Sequence, residues 1–187
     1  MKKRILLIHA TLLVLVLALD LYTKSFIQHA MKQGESHVLI KNFFSITYVK
    51  NTGAAWGIFS GHTEIFYPIT LIAAIAIIYY FIKSKSALSR WGLTLVFAGL
   101  LGNLFDRVTL FYVRDFLDFI IFGYDFPVFN VADMGVVIGM GCLLLEIIIE
   151  EFKLWKYKQS NQNRIQIKYA AQLVYAKKYL FTNKKII

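Results

Sequence analysis

The chain has 187 residues, of which 58% are hydrophobic and 16% aromatic, with only two prolines, one cysteine and a formal net charge of +10. It is too apolar for an ordinary soluble domain and too short for several large ones. One cysteine, Cys142, within an apolar run, excludes a disulfide framework and a cysteine-based metal site.

Four apolar runs stand out: Ile5–Leu21, Ile65–Ile82, Trp91–Phe105 and Met134–Phe152. Crossing ~30 Å of hydrocarbon takes about 20 largely apolar residues. The third run reaches that length only by including "LGNLFDR", so its span extends to about residue 107 and its polar end lies at or inside the interface. The expected fold is therefore a membrane α-helical protein with four transmembrane helices, at about 5–21, 65–82, 91–107 and 134–152. The N-terminus resembles a signal peptide, but no small-x-small cleavage site follows it, and the first run is read as an uncleaved helix.

Basic residues orient the spans. Lys2, Lys3 and Arg4 precede the first, Lys83, Lys85 and Arg90 separate the second from the third, and nine Lys or Arg with no acidic residue follow Phe152. By the positive-inside rule these regions and both termini are cytoplasmic. Segments of about 22–63 and 107–133 are then exported, although Lys24, Lys32, Lys41 and Lys50 run against the rule. Because most of the positive charge flanks the spans, anionic lipid is the expected partner and nucleic acid is not.

The first exported segment changes pattern between Ser36 and Gly61. It is rich in β-branched and aromatic residues, "FSITYVK" alternates as a strand does, and "NTG" and "SG" mark turns. A small strand-rich platform is expected there. The second, "FYVRDFLDFIIFGYDFPVFNVAD", is expected to be partly helical and to carry part of the active site. The domains are then a four-helix membrane unit, 1–152, and a basic cytoplasmic tail, 153–187, whose structure the sequence leaves open.

Several polar residues stand at the outer ends of the spans. Asp20 and Lys24 are four apart on one helix face and can pair; an anchoring ion pair is at least as good a reading as a catalytic one. Asn103 and Arg107 also share a face, with Asp106 adjoining. Snorkelling accounts for Arg107 but not for Asn103. Asp115 and Asp118 lie among Val113, Phe116, Leu117 and Phe119, where two solvated loop carboxylates are hard to accept. On position alone Asp133 is equally an N-cap and a catalyst. Asn130 three residues earlier, and a second carboxylate across the loop, tip it to function. Two adjacent carboxylates sharing one proton can hydrolyse an amide, the ionised one activating water and the protonated one polarising the carbonyl. Other chemistries are poorly supplied: His9, His29, His37 and His62 are scattered, and neither a nucleophile elbow nor a phosphate loop appears. A proton relay in a small transporter is the alternative reading of the same Asp residues, disfavoured by the absence of repeats.

"DLYTK", "NTGAAWG", "GNLFDR", "YVRDFLDF" and "FNVAD" occur in an order and spacing that resembles the lipoprotein signal peptidases, or signal peptidase II, over about Ile5 to Glu151. The resemblance implies a bacterial inner-membrane aspartic endopeptidase without cofactor or metal. Such an enzyme cuts prolipoproteins before a diacylglyceryl-modified cysteine, and a monomer is expected. It implies Asp115 and Asp133 as the catalytic pair, and Asn51, Gly53, Gly99, Asn103, Arg107 and Asn130 as residues that shape the site or hold substrate. Asp20 and Lys24 match the motif of the first helix. Asp106, Asp118 and Asp125 are not catalytic in that pattern. Arg114 departs from it, since a small aliphatic residue is usual there; the cation is expected either to lower the Asp115 pKa or to point to water.

Overall fold

The computed structural model describes residues 3–53, 59 and 61–183, with side chains as far as 174. The helices are α1 (Lys3–Ala30), α2 (Phe66–Lys83), α3 (Ala87–Leu110) and α4 (Val131–Asn183), and the strands are β1 (Ser36–Ile40), β2 (Phe44–Asn51), β3 (Val113–Ile121) and β4 (Tyr124–Asp125). Four helical stretches are long and apolar enough to cross a membrane: Lys3–Ala30, Thr63–Lys83, Ala87–Leu110 and Val131–Val174. Their outward faces are apolar, as at Leu7, Leu15 and Ile72, each about two-thirds exposed, which is the surface lipid covers. The protein is a multi-pass membrane protein.

The first helix outruns its expected end at Leu21 by more than two turns. Asp20, Lys24 and Ile27 recur at helical spacing on its buried face, and Met31 follows just beyond it. Ile27 and Met31 pack with Tyr48 and Phe116 in the core of the sheet, so protein contacts hold this extension where lipid does not.

The sheet is antiparallel in the order β1-β2-β3-β4. The strand reading of the first exported segment holds for 36–51. Ala54–Gly57 of "NTGAAWG" and Ser60 of "SG" lie outside the described residues. The second exported segment differs from expectation. It is helical only at its two ends, and its middle is β3, which pairs with β2 from Asn51↔Val113 to Phe44↔Phe119. Helix α3 stops because Phe111 adopts a left-handed conformation (φ 66°), its N–H donating to the Arg107 carbonyl. Val113–Ile121 then offers β-branched and aromatic side chains to a neighbouring strand edge, and local helical preference loses to the ladder.

Between Ile46↔Leu117 and Val49↔Asp115 the register slips, so Thr47 and Tyr48 together oppose Phe116. Such a bulge kinks a strand and re-aims its side chains, and this one adjoins Asp115.

Small residues bring α3 against the start of α4. A Cβ on Gly92 would lie 2.7 Å from the Gly139 carbonyl oxygen, and one on Gly99 would overlap the Ala132 carbonyl oxygen. At Gly102 a Cβ would strike the Asp20 carboxylate. Close backbone approach of this kind is how helices associate in lipid. It sets the outer end of α3 beside Asn130 and Asp133.

The chain divides into two units, Met1–Leu144 and Leu145–Ile187. In the second, the basic tail continues as helix to Asn183, with nearly every described side chain exposed.

Candidate active site

Helix α4 begins with a reciprocal cap. The Asp133 N–H donates to Asn130 Oδ1 at 3.0 Å, and the Asn130 N–H donates to Asp133 Oδ2 at 3.1 Å. This is a capping box with Asn at the cap and Asp in the third helical position. The capping and functional readings of Asp133 are thus compatible: one oxygen caps, and the other remains available. That other oxygen, Oδ1, accepts from Asn103 Nδ2 at 2.7 Å.

Asp115 comes from β3. Its Oδ1 accepts from Asn130 Nδ2 at 2.6 Å and its Oδ2 from Asn51 Nδ2 at 2.9 Å. Asn130 therefore touches both carboxylates, one through its backbone and one through its side chain. All four carboxylate oxygens are held by neutral amide N–H groups, and among the described residues no cation bonds either directly. Neutral donors orient a carboxylate without committing it to the ionised form as a paired Arg would. Asp115 is 2% exposed. Burial, and then the neighbouring Asp133 charge, push its carboxyl up to about 7, against the pull of the Asn51 and Asn130 hydrogen bonds and the Lys24 charge.

The asparagines are held in turn. Asn103 Oδ1 accepts from Lys24 Nζ at 2.8 Å and from Asn130 Nδ2 at 3.1 Å, so its NH₂ must face Asp133. Asn51 Oδ1 accepts from the Gly53 N–H at 2.9 Å, which likewise fixes its NH₂ toward Asp115. The Arg107 guanidinium donates to the Gly53 carbonyl at 3.1 Å and lies 4.3 Å from the Phe66 ring centroid, tying the 51–53 turn to α3 and α2. Gly53 therefore acts on the site through Asn51, while Arg107 both steadies that turn and lines the cavity itself.

Asp20 and Lys24 pair at 2.8 Å, as their spacing predicts, with side chains 1% and 0% exposed. Asp20 also accepts the Ala132 N–H at 2.8 Å, one of the first-turn donors of α4. Gly99 contributes by close packing against Ala132 rather than by a polar contact.

Arg114 follows neither expectation. Strand alternation turns it away from Asp115. It is buried, donating through Nε and Nη2 to Asp106 at 3.1 and 2.5 Å and through Nη1 to Gln28 Oε1 at 2.9 Å. It thus neither points to water nor bonds Asp115. Asp106 is consumed by this pairing and by the Arg114 backbone N–H at 3.0 Å. Asp118 accepts from Thr47 Oγ1 at 2.5 Å, and Asp125 is exposed in β4. None of these three carboxylates lines the cavity described next.

Asp115 and Asp133 face a cavity of about 600 Å³. Asn51, Asn103 and Arg107 share its polar end, and Phe126, Pro127, Phe129, Val136 and Val137 form apolar wall. No local pattern marks Gln28, Thr47 or Ala132, whose partners lie 71 to 112 residues away. Among the described residues no group of three or more His, Cys, Asp or Glu side chains gathers as a metal would require.

Comparisons with known proteins identify the family to which this four-helix membrane bundle is similar. The family model for signal peptidase II matches residues 12–149. The lipoprotein signal peptidase of Staphylococcus aureus strain MRSA252 is 44% identical over 137 residues, which is 72% of this chain and 84% of that protein; that of strain JH9 is 43% identical over the same coverage. Two solved structures superpose on the chain, each of a bacterial membrane enzyme obtained by the in meso method. The one at 2.3 Å resolution gives a TM-score of 0.73 at 41% identity, covering 76% of this chain and 88% of its own. The one at 1.9 Å gives 0.69 at 42% identity, covering 74% and 91%. With the family model spanning most of the chain and fold and sequence agreeing, this membrane protein belongs to the signal peptidase II family and is a peptidase.

Proposed function

We propose that the protein is an intramembrane aspartic endopeptidase that removes signal peptides from prolipoproteins, cutting on the N-terminal side of a diacylglyceryl-modified cysteine, with Asp115 and Asp133 as the catalytic pair. The observation that carries the assignment is the pair of carboxylates held by neutral amides and lining one largely apolar cavity. Water and a scissile amide can meet there while acyl chains and signal helix stay in lipid.

The roles follow from the two environments. Asp115, buried and titrating near 7, holds the shared proton. Asp133 stands in the first turn of α4, where the helix dipole favours negative charge, and acts as base. Asp133 takes a proton from water as its oxygen attacks the carbonyl carbon, and Asp115 gives its proton to the carbonyl oxygen. The resulting gem-diol collapses when Asp133 returns its proton to the amide nitrogen and Asp115 recovers one from the diol. The C–N bond breaks, and both carboxyls end in their starting states. Asn51, Asn103 and Asn130 keep the pair in register, and Lys24 and Asp20 hold Asn103 and the start of α4.

The charge distribution supports an inner-membrane location with both termini cytoplasmic and the site near the exported face. The peptidase is assigned to residues 1–152, and the tail 153–187, helical as far as Asn183, is read as a cytoplasmic extension. A monomer is proposed, since one chain supplies every residue given a role above. The test is incubation of purified protein with a diacylated prolipoprotein, scored by mobility shift. Asp115→Asn and Asp133→Asn should each abolish cleavage yet leave a folded, inserted protein. Full cleavage by either variant refutes the pair, and no cleavage by the wild type refutes the activity.

A further inference from the structure

Four charged side chains lie behind the carboxylate pair and do not line its cavity: Asp20 and Lys24 of α1, Asp106 of α3 and Arg114 of β3. Each is at most 7% exposed. The Arg114 guanidinium closes a fork on Asp106, Nε on Oδ2 and Nη2 on Oδ1, and its backbone N–H adds a third bond, to Oδ2. Its Nη1 reaches Gln28, so one side chain ties β3 to both α3 and α1. Such a fork holds a carboxylate in a fixed geometry that an ammonium cannot impose.

Lys24 Nζ lies 3.8 Å from Asp106 Oδ2, but 2.8 Å from Asp20 Oδ2 and 2.8 Å from Asn103 Oδ1. Because Arg114 already satisfies Asp106, the ammonium stays on Asp20 and Asn103. Asn103 in turn donates to Asp133 at 2.7 Å. A buried carboxylate deprived of its partner is strongly destabilising. Among the described residues Lys24 is the one other cation within 4 Å of Asp106, so loss of Arg114 would draw it off Asn103.

The charges also balance. With one proton on the catalytic pair, Asp20, Asp106 and Asp133 are negative, and Lys24, Arg107 and Arg114 are positive. The Arg107 charge acts on Asp106, Asp115 and Asp133, and the Lys24 charge on Asp115. The phenol of Tyr48 faces Asp106 and Arg114 from β2, beside Tyr112. A low-dielectric surround penalises net charge, so the favoured state of this set is the one with a single shared proton. Without Arg114 the set is negative by one, and a second proton on the pair would restore neutrality.

Resting on the catalytic pair proposed above, we infer that Arg114 is a positioning residue of the reaction: its fork on Asp106 keeps Lys24 on Asn103 and balances the buried charge so that Asp115 and Asp133 share one proton. It touches neither substrate nor the reacting carboxylates, and it sets the pH range of cleavage rather than the chemistry.

The test is kcat and KM for a diacylated prolipoprotein as a function of pH in detergent, with thermal unfolding as the folding check. A pair active in its singly protonated form gives a bell-shaped profile. Arg114→Gln, which can still donate to Asp106, should move both limbs up by about one pH unit, the effect of a charge some 10 Å away at an effective dielectric of ~20. On the acid limb kcat then falls up to about tenfold, while KM stays within about twofold. Arg114→Lys keeps the charge and should leave the limbs in place. Asp106→Asn should move them down, and Arg114→Gln combined with Asp106→Asn should return them to wild type. A residue that only held the fold would lower activity alike at every pH and give no reversal of sign. If Arg114→Gln does not fold, the downward shift of Asp106→Asn carries the test. Limbs that stay in place in the single variants, that move the same way in both, or that move as far in Arg114→Lys as in Arg114→Gln would overturn the inference. A wild type that does not cleave would instead overturn the catalytic reading beneath it.

Discussion

Asp115→Asn should change stability in a manner that depends on pH, and the sign follows from the burial of the carboxyl. The folded-state pKa is about 7 against an ordinary 3.8. The folded protein therefore binds this proton more tightly than the unfolded chain. At pH values below the ordinary pKa the group is neutral in both states and costs nothing. As pH rises from about 4 toward 7, the unfolded chain releases the proton first, and the folded state loses relative stability. Above 7 the loss is complete, and three units correspond to at most ~4 kcal/mol. Asparagine cannot ionise, so it removes that slope. It also replaces one acceptor with a donor, facing the Asn51 or Asn130 NH₂, which costs about 1–3 kcal/mol at every pH. The variant should thus be no more stable than wild type at pH 5 and clearly more stable at pH 8, while cleaving nothing at either. Thermal unfolding in detergent at the two pH values reads the difference directly, scan rate held constant because unfolding of membrane proteins is often irreversible. Asp133→Asn should reduce the slope of wild type without abolishing it, because burial outranks the Asp133 charge among the causes. An offset between Asp115→Asn and wild type that is the same at pH 5 and pH 8 would refute the reasoning.

Asp118→Asn should keep most activity in the same cleavage assay, since Asp118 bonds Thr47 and does not line the cavity; a dead Asp118→Asn beside an active Asp115→Asn would reverse the assignment. Chelators and serine- or cysteine-directed reagents should leave cleavage intact, as should Cys142→Ala, whereas loss of activity with EDTA and its return with zinc would sink the carboxylate mechanism. Prolipoprotein lacking diacylglycerol should be a poor substrate, because each buried CH₂ adds about 0.8 kcal/mol to membrane association and seats the scissile bond; equal rates with and without the lipid would contradict this. Truncation after Lys158 should leave kcat in detergent within roughly threefold of wild type, less than ~1 kcal/mol in barrier, because the described residues that line the cavity run from Asn51 to Ile138. A truncated protein that inserts normally but does not cleave would give the tail a part in the fold.

The four spans were legible in the sequence because lipid imposes one rule on every residue of a span, and hydropathy reads that rule locally. The strand character of 44–50 was legible for a similar reason, since alternation is a local pattern. Val113–Ile121 was not, because its apolar run suits helix or strand equally and only the edge of β2, over 60 residues earlier, decides between them. Arg114 shows the same limit at the scale of one side chain. Beside Asp115 in sequence, it invited an electrostatic reading, yet the pleat sends the two residues to opposite faces and gives Arg114 to Asp106 and Gln28. Asn130 is the instructive opposite case. Its spacing of three from Asp133 exposes the helix cap, but nothing local shows that its NH₂ reaches Asp115. One residue thereby couples the cap of α4 to a strand carboxylate, so the geometry of the pair depends on the start of a helix. Any change that frays that first turn, such as loss of the Asp20 contact to the Ala132 N–H, should misplace Asp133 and Asp115 together rather than singly.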